Sequence, residues 1–266
     1  MSHLGVRESA ARADALAGPV GEAVVEAIDL RKRFDGHEVL RGVSFTARRG
    51  ETLVIMGGSG SGKTVTLRLV AGLIRPTSGR VRVFDRWIEG LGEEALLPIR
   101  RRMGYVFQGA ALFDSLTVHG NVAYPLREHT SLPEPDIRER VIQALSMVGL
   151  GAEVLGLLPA ELSGGMRKRV GIARALIGEP AMLLFDEPTA GLDPTNSRMV
   201  AELIVRLRGG VCDTAIVVTH DLELTRTVAD RVAILIDGQF AALGPRDEVL
   251  ASDHPAVQRF LAGEAR

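Results

Sequence analysis

Gly57-Gly58-Ser59-Gly60-Ser61-Gly62-Lys63-Thr64 lies between the apolar run Leu53-Val54-Ile55-Met56 and a helix-like run from Val65 to Ile74. A buried strand, a glycine-rich loop and a helix in this order decide the fold. Glycines let successive backbone N–H groups turn onto one anion, and the N-terminus of the following helix adds partial positive charge. Lys63 is then placed to reach the β- and γ-phosphates of a nucleoside triphosphate, and Thr64 to offer its hydroxyl to Mg2+.

Working outward, apolar and polar residues alternate from Val24 to Leu30 and from Glu38 to Ala47, with Asp35-Gly36 between them, which predicts an antiparallel hairpin. Arg48-Arg49-Gly50 turns the chain into the strand Leu53 to Met56, whose unbroken apolar character fits a parallel sheet covered on both faces. The helix after the loop is expected to end at Pro76, and Val81 to Phe84 forms a further strand. From about Glu93 to Gly178 the pattern is helical, with one stripe at Ile137, Val141, Leu145 and Val148 and a second at Met166, Val170, Ala173 and Ile177. Ala181 to Phe185 and Ala215 to Thr219 read as buried strands around a helix from Ser197 to Leu207. Arg231 to Ile236 and Gln239 to Leu243 form a last hairpin about Asp237-Gly238. The fold class is therefore α/β, a P-loop core with an antiparallel β subdomain and an inserted α-helical subdomain at about 93–178. Residues 1–23 read as a flexible leader, 24–250 as the ATPase domain, and 251–266 as a helical tail carrying Pro255, Val257, Phe260 and Leu261.

The 32 basic and 33 acidic residues nearly cancel, which argues against nucleic-acid binding by bulk charge. Arg100-Arg101-Arg102 and Arg167-Lys168-Arg169 read as solvated helix faces. A single cysteine, Cys212, excludes an internal disulfide framework and suits a reducing, cytoplasmic compartment as a structural thiol. The run nearest to a membrane span, Gln143 to Ala160, is broken by Glu153, several glycines and Pro159, so membrane contact is expected to be indirect.

Two further motifs choose among the enzymes that use such a loop. Met182-Leu183-Leu184-Phe185-Asp186-Glu187 delivers two carboxylates at the end of a buried strand, where ligands of open α/β sheets lie. Asp186 suits Mg2+, and Glu187 suits the general base that orients and polarises an attacking water. Leu162-Ser163-Gly164-Gly165-Met166 opens a helix, with Ser163 as a capping residue, and makes a second anion-binding turn far along the chain from the first. A single phosphate loop does not need two.

Together these stretches resemble the nucleotide-binding subunits of ABC transporters, whose signature is Leu-Ser-Gly-Gly-Gln, and the likeness covers roughly Val24 to Leu243. The resemblance implies an ABC-type core that binds and hydrolyses ATP with Mg2+. It also implies a head-to-tail homodimer, in which Ser163, Gly164 and Gly165 of one subunit close over ATP held by the other. It gives Gln108, in Val106-Phe107-Gln108, the role of sensing Mg2+ and water. Asp193, in Ala190-Gly191-Leu192-Asp193, belongs to the loop at the dimer seam, and His220 is the switch histidine at the γ-phosphate. Phe34 falls where the family stacks an aromatic on adenine, the alternative being a core phenylalanine of the hairpin. Met166 departs from the usual glutamine, and with Asn121-Val122-Ala123-Tyr124-Pro125-Leu126-Arg127-Glu128-His129-Thr130 it is similar to the Mla-type, Mce-associated lipid-transport ATPases. That likeness implies an integral membrane permease (MlaE-like) as partner, a substrate-binding Mce-domain protein, and a peripheral place on the cytoplasmic face of an inner membrane, with no nucleic acid. The alternatives are another cargo (amino acid, metal, drug) or a soluble ABC-type ATPase of DNA repair or translation.

Overall fold

The computed structural model describes residues 21–208, 211–212 and 214–263, so most of the expected leader lies outside the described residues. In chain order the elements are β1 (Ala23–Phe34), β2 (His37–Arg48), β3 (Thr52–Gly57), α1 (Lys63–Val70), β4 (Ser78–Val83), β5 (Arg86–Trp87) and α2 (Glu93–Arg100). There follow β6 (Met103–Val106), α3 (Val118–His129), α4 (Glu134–Met147), α5 (Gly164–Leu176), β7 (Met182–Asp186), α6 (Pro194–Arg208) and β8 (Ala215–Thr219). The chain ends with α7 (Leu222–Val228), β9 (Arg231–Ile236), β10 (Gln239–Pro245), α8 (Arg246–Leu250) and α9 (Pro255–Leu261). Two compact units divide it, one running to Arg100 and resuming at Ile216, the other spanning Arg101–Ala215. Among the described residues no helix is long and apolar enough to cross a membrane.

In the first unit β1 and β2 pair antiparallel, joined by Asp35 and Gly36 at φ 45° and 84°, the two left-handed positions of a type I′ turn. β4 and β5 complete a sheet of order β2-β1-β4-β5. A second run of strands has the order β10-β9-β3-β8, in which β3 and β9 are parallel and β9 and β10 form the expected hairpin about Asp237-Gly238. All six residues of β3 are buried. α1 ends at Val70 rather than near Pro76, because Gly72 adopts φ 64° and the N–H groups of Gly72 and Leu73 turn back to the carbonyls of Leu69 and Arg68. Glycine in the left-handed conformation stops a helix before a downstream proline has to. The tail helix α9 buries Val257 completely, which seats it on its own unit.

The second unit pairs β6 with β7 in parallel, Met103 opposite Met182 and Val106 opposite Phe185. β6 falls where the sequence reads as continuous helix. Only four residues long, it contains Gly104, where a Cβ would lie 2.5 Å from the Ala175 carbonyl oxygen. So short an apolar run shows no period of its own. The stripe Ile137, Val141, Leu145 and Val148 is buried as expected; in the second stripe Val170, Ala173 and Ile177 are buried while Met166 is half-exposed. Asn121 is fully buried and staples the start of α3: its amide nitrogen donates to the carbonyls of Phe113, Leu116 and Thr117, and its Oδ1 accepts from the Phe113 N–H at 2.7 Å.

The basic clusters are not simply solvated. In the first unit Arg100 donates to the Ala71 and Gly72 carbonyls at the end of α1 and pairs with Glu93. In the second, Arg167 donates to the Leu162 carbonyl at 2.7 Å and Arg169 to that of Gly149 at 2.8 Å, while Lys168 is buried. Carbonyls left over at helix ends and turns attract these cations.

One buried ion pair ties the first unit together. Arg231, at the start of β9, donates to Glu51 Oε1 at 3.0 Å and to the Thr46 carbonyl, and the same carboxylate accepts from the Arg48 N–H at 2.8 Å. The side chains are 6 % and 1 % exposed. Burial pushes the Glu51 carboxyl above its usual range, and Arg231 opposes that shift. Removing one partner strands the other charge out of water. Glu51→Ala is therefore expected to lower the unfolding free energy by about 3–5 kcal/mol in urea titrations followed by circular dichroism, with Glu51→Leu/Arg231→Met recovering most of the loss.

Candidate functional site

The first unit carries the phosphate loop. β3 delivers Gly57 at its end, and the loop crosses to α1 through Gly60 and Gly62 at φ 77° and 107°. At Gly57 a Cβ would lie 2.5 Å from both the Leu235 carbonyl oxygen and Ser61 Oγ; at Gly62 it would lie 2.6 Å from Leu40. Close approach and left-handed backbone thus require glycine at these two positions. The N-cap residue of α1 is Gly62, and no side chain caps the helix there. Lys63 is buried, and its ammonium donates to the carbonyls of Gly57 at 2.8 Å and Gly58 at 2.9 Å. Gly58 and Thr64 are half-exposed, and Ser59 and Gly60 are exposed.

Beside this loop a cavity of about 160 Å3 is lined by Ser59, Gly60, His37, Val39, Asp237 and Phe260 of the tail helix. Phe34, at the end of β1, is 42 % exposed, with the Lys32 ammonium 4.7 Å from its ring centroid. That exposure overturns the alternative of a core phenylalanine and leaves an aromatic face available. His220 follows β8, the neighbour of β3 in the strand order, and is exposed; the next residue, Asp221, caps α7 by accepting from the Leu224 N–H at 3.0 Å.

The second unit holds the carboxylates. β7 is wholly buried and ends at Asp186, followed by Glu187 in the left-handed region at φ 48°. A glutamate there carries backbone strain of about 1–2 kcal/mol and aims its side chain differently from a strand residue. Asp186 is 4 % and Glu187 7 % exposed, and Tyr105 donates to Asp186 Oδ2 at 3.2 Å. Because β6 and β7 run parallel in register, exposed Gln108 leaves the sheet at the same end as Glu187. Lys168 of α5 touches both turns, donating to the carbonyl oxygens of Gln108 and, at 3.2 Å, Glu187.

At the start of α5, Ser163 Oγ accepts from the Met166 N–H at 3.2 Å, so Ser163 is the N-cap, and the three residues Ser163, Gly164 and Gly165 range from exposed to buried. Gly165 lies against the Asn196 side chain, too close for a Cβ, and Leu192 is 3.6 Å from where a Cβ of Gly164 would stand. Asp193 accepts from the N–H groups of Thr195 and Asn196 at 3.0 Å, and the Asn196 bonds hold its carboxyl below the usual range. The second unit thus brings the Ser163 turn and the Asp193 loop together, and Gln108 together with Glu187.

Tyr105 and Arg174 have no part in the sequence reading, and Lys168 enters it only within a cluster read as a solvated face. A signal for Lys168 exists: Gly165, Lys168 and Ile172 fall on one face of α5 at helical spacing, and all three are buried.

The fold, with its glycine loop after β3 and the Ser163-Gly164-Gly165 turn at the start of α5, is that of a nucleotide-binding cassette. The chain belongs to the ABC transporter family: the family model described as "ABC transporter" matches residues 40–190, more than half of the chain. It is an ATPase of that family, and relatives extend over most of its length. The intermembrane phospholipid transport system ATP-binding protein MlaF of Escherichia coli K12 is 41 % identical over 223 residues, 84 % of this chain and 82 % of that one. The probable ribonucleotide transport ATP-binding protein mkl of Mycobacterium tuberculosis is 39 % identical over 245 residues, 92 % of this chain and 68 % of that one. Among solved structures, the dimeric post-hydrolysis state of the ATP-binding cassette MJ0796 bound to ADP and Pi superposes with a TM-score of 0.76 at 32 % identity, covering 84 % of this chain and 98 % of that one.

Lys63→Ala removes the one cation of the phosphate loop while leaving its glycines in place. ATP affinity measured by calorimetric titration is expected to fall at least about tenfold, the worth of a hydrogen bond to a charged group, and the unfolding midpoint to fall as well, because the Gly57 and Gly58 carbonyls lose their buried donor.

Proposed function

We propose that this ATPase powers lipid transport, with phospholipid as the leading cargo, across a bacterial envelope. It acts as a head-to-tail homodimer beneath an integral membrane permease, on the cytoplasmic face of the inner membrane. The observation that carries the cargo is the likeness to MlaF, which extends over most of both chains. The mkl relative, named for ribonucleotide transport, favours a second reading in which the same motor serves another cargo. The dimer is supported by the MJ0796 cassette and by the uncapped helix start at the phosphate loop being matched by a second anion-binding turn at Ser163-Gly164-Gly165. A substrate-binding Mce-domain protein and the limits 24–250 for the ATPase domain, with the tail at 251–266, belong to the same proposal.

In this reading Gly57, Gly58, Ser59, Gly60, Ser61 and Gly62 present their backbone to the phosphates and Lys63 neutralises them. Phe34 stacks on adenine. The partner subunit's signature turn, the same three residues, covers the γ-phosphate, and the Asp193 loop lies at the seam. Thr64, Gln108 and Asp186 offer a hydroxyl, an amide oxygen and a carboxylate, an all-oxygen donor set that fits Mg2+. They would hold that ion, which supplies positive charge to the phosphate oxygens. Glu187 orients the attacking water and accepts its proton, while His220 bonds the γ-phosphate.

Glu187→Gln keeps size and the left-handed backbone but removes the base. Turnover in a phosphate-release assay is expected to fall by at least about a hundredfold, within the usual range for a general base, while ATP is retained and the dimer fraction in light scattering rises. Wild-type hydrolysis by this variant would sink the assignment. For cargo, purification from native membranes should recover a multi-span permease with bound phospholipid; an amino-acid or nucleotide permease would overturn the lipid reading.

A further inference from the structure

Lys168 is a cation on the buried face of α5, 5 % exposed, where an apolar residue would ordinarily stand. Burial pushes its ammonium below the usual lysine range, and the nearby carboxylates of Glu187 and Asp186 oppose that shift. An ammonium out of water needs acceptors, and those of Lys168 are the carbonyl oxygens of Gln108 and Glu187. Each ends a backbone that has just left a parallel strand. Glu187 stands at φ 48°, and the chain after Gln108 passes through Ala110 and Ala111 at φ 63° and 47°.

α5 clamps the Gln108 turn at two more points. Arg174 donates to the Ala110 carbonyl at 2.7 Å and to that of Ala111 at 2.8 Å. Between the two cations, Gly171 lets the turn approach so closely that a Cβ there would stand 3.0 Å from Ala110 Cβ. Arg174 and Gly171 hold only the Gln108 turn, whereas Lys168 also reaches the turn of Glu187. A side chain pivots on its own backbone, so the setting of the Glu187 carbonyl sets the direction of its carboxylate.

We propose that Lys168 is a positioning residue of the ATPase: one ammonium group, bonded to the carbonyl oxygens of Gln108 and Glu187, fixes these two turns in a single setting and so aims the Glu187 carboxylate at the attacking water. The inference rests on the reading of Glu187 as the base. Lys168 itself touches no reacting atom. Its loss misdirects the base without weakening the phosphate loop, so the effect falls on kcat rather than on ATP binding.

The test compares steady-state hydrolysis of Mg-ATP by the full chain carrying Lys168→Met, Lys168→Arg or Lys168→Gln with wild type and Glu187→Gln, each variant checked for its unfolding midpoint. Lys168→Met is expected to lower kcat about tenfold or more with KM within about twofold, since a displacement of the order of an ångström at a reacting group costs that much or more. Lys168→Arg, which keeps the donors, should recover most of the rate. If Lys168→Met fails to fold, Lys168→Gln replaces it in the same comparison, keeping a shorter donor without the charge and falling between the two. Wild-type kcat in the substituted protein, a change confined to KM, or an arginine variant no better than methionine would overturn the proposal. Should Glu187→Gln abolish turnover while Lys168→Met keeps the wild-type kcat, only the positioning role fails; should Glu187→Gln hydrolyse ATP normally, the reading of the base fails with it.

Discussion

Where a chain leaves a parallel strand to build a loop, regular hydrogen bonding ends and its carbonyl groups need donors from elsewhere. In this protein long basic side chains supply them. Lys63 holds Gly57 and Gly58; Lys168 holds Gln108 and Glu187; Arg174 holds Ala110 and Ala111; Arg100 holds the end of α1. These loops are irregular, and residues such as Glu187 adopt strained backbone conformations that surrounding bonds help maintain. Part of the positive charge of this near-neutral chain is thus directed inward.

Much of this was legible in the residues. Strand and helix on either side of Gly57 to Thr64 announced the core, and both Asp-Gly turns formed the hairpins that their flanking alternation required. The carboxylates were found because a wholly apolar strand cannot end in Asp-Glu without placing them at its rim. The failures have a common cause, which is that local patterns do not report what a long side chain touches. Arg167-Lys168-Arg169 looked like a solvated face, yet each residue reaches a carbonyl and Lys168 is buried. β6 was hidden because four residues are too few to show alternation, and its glycine is dictated by the Ala175 carbonyl far along the sequence.

The chain shares its fold with ABC cassettes, whereas cargo is not written in these turns. The two relatives illustrate the separation: proteins of nearly equal likeness carry names that describe a phospholipid and a ribonucleotide. A shared fold does not by itself specify what is carried.

The attachment of Lys63 to its own loop has a further consequence, for selectivity. An arriving anion meets an ammonium already bonded to two neutral carbonyls, so entry is an exchange of acceptors rather than the filling of an open socket. The gain is then the difference between a charged acceptor and a neutral one, which grows with the charge that the anion brings. A singly charged ion would gain little by such an exchange, while the clustered oxygens of a polyphosphate would engage the lysine and the helix N-terminus together in the proposed reading. On that reading, discrimination among anions would begin with a competitor built into the chain itself.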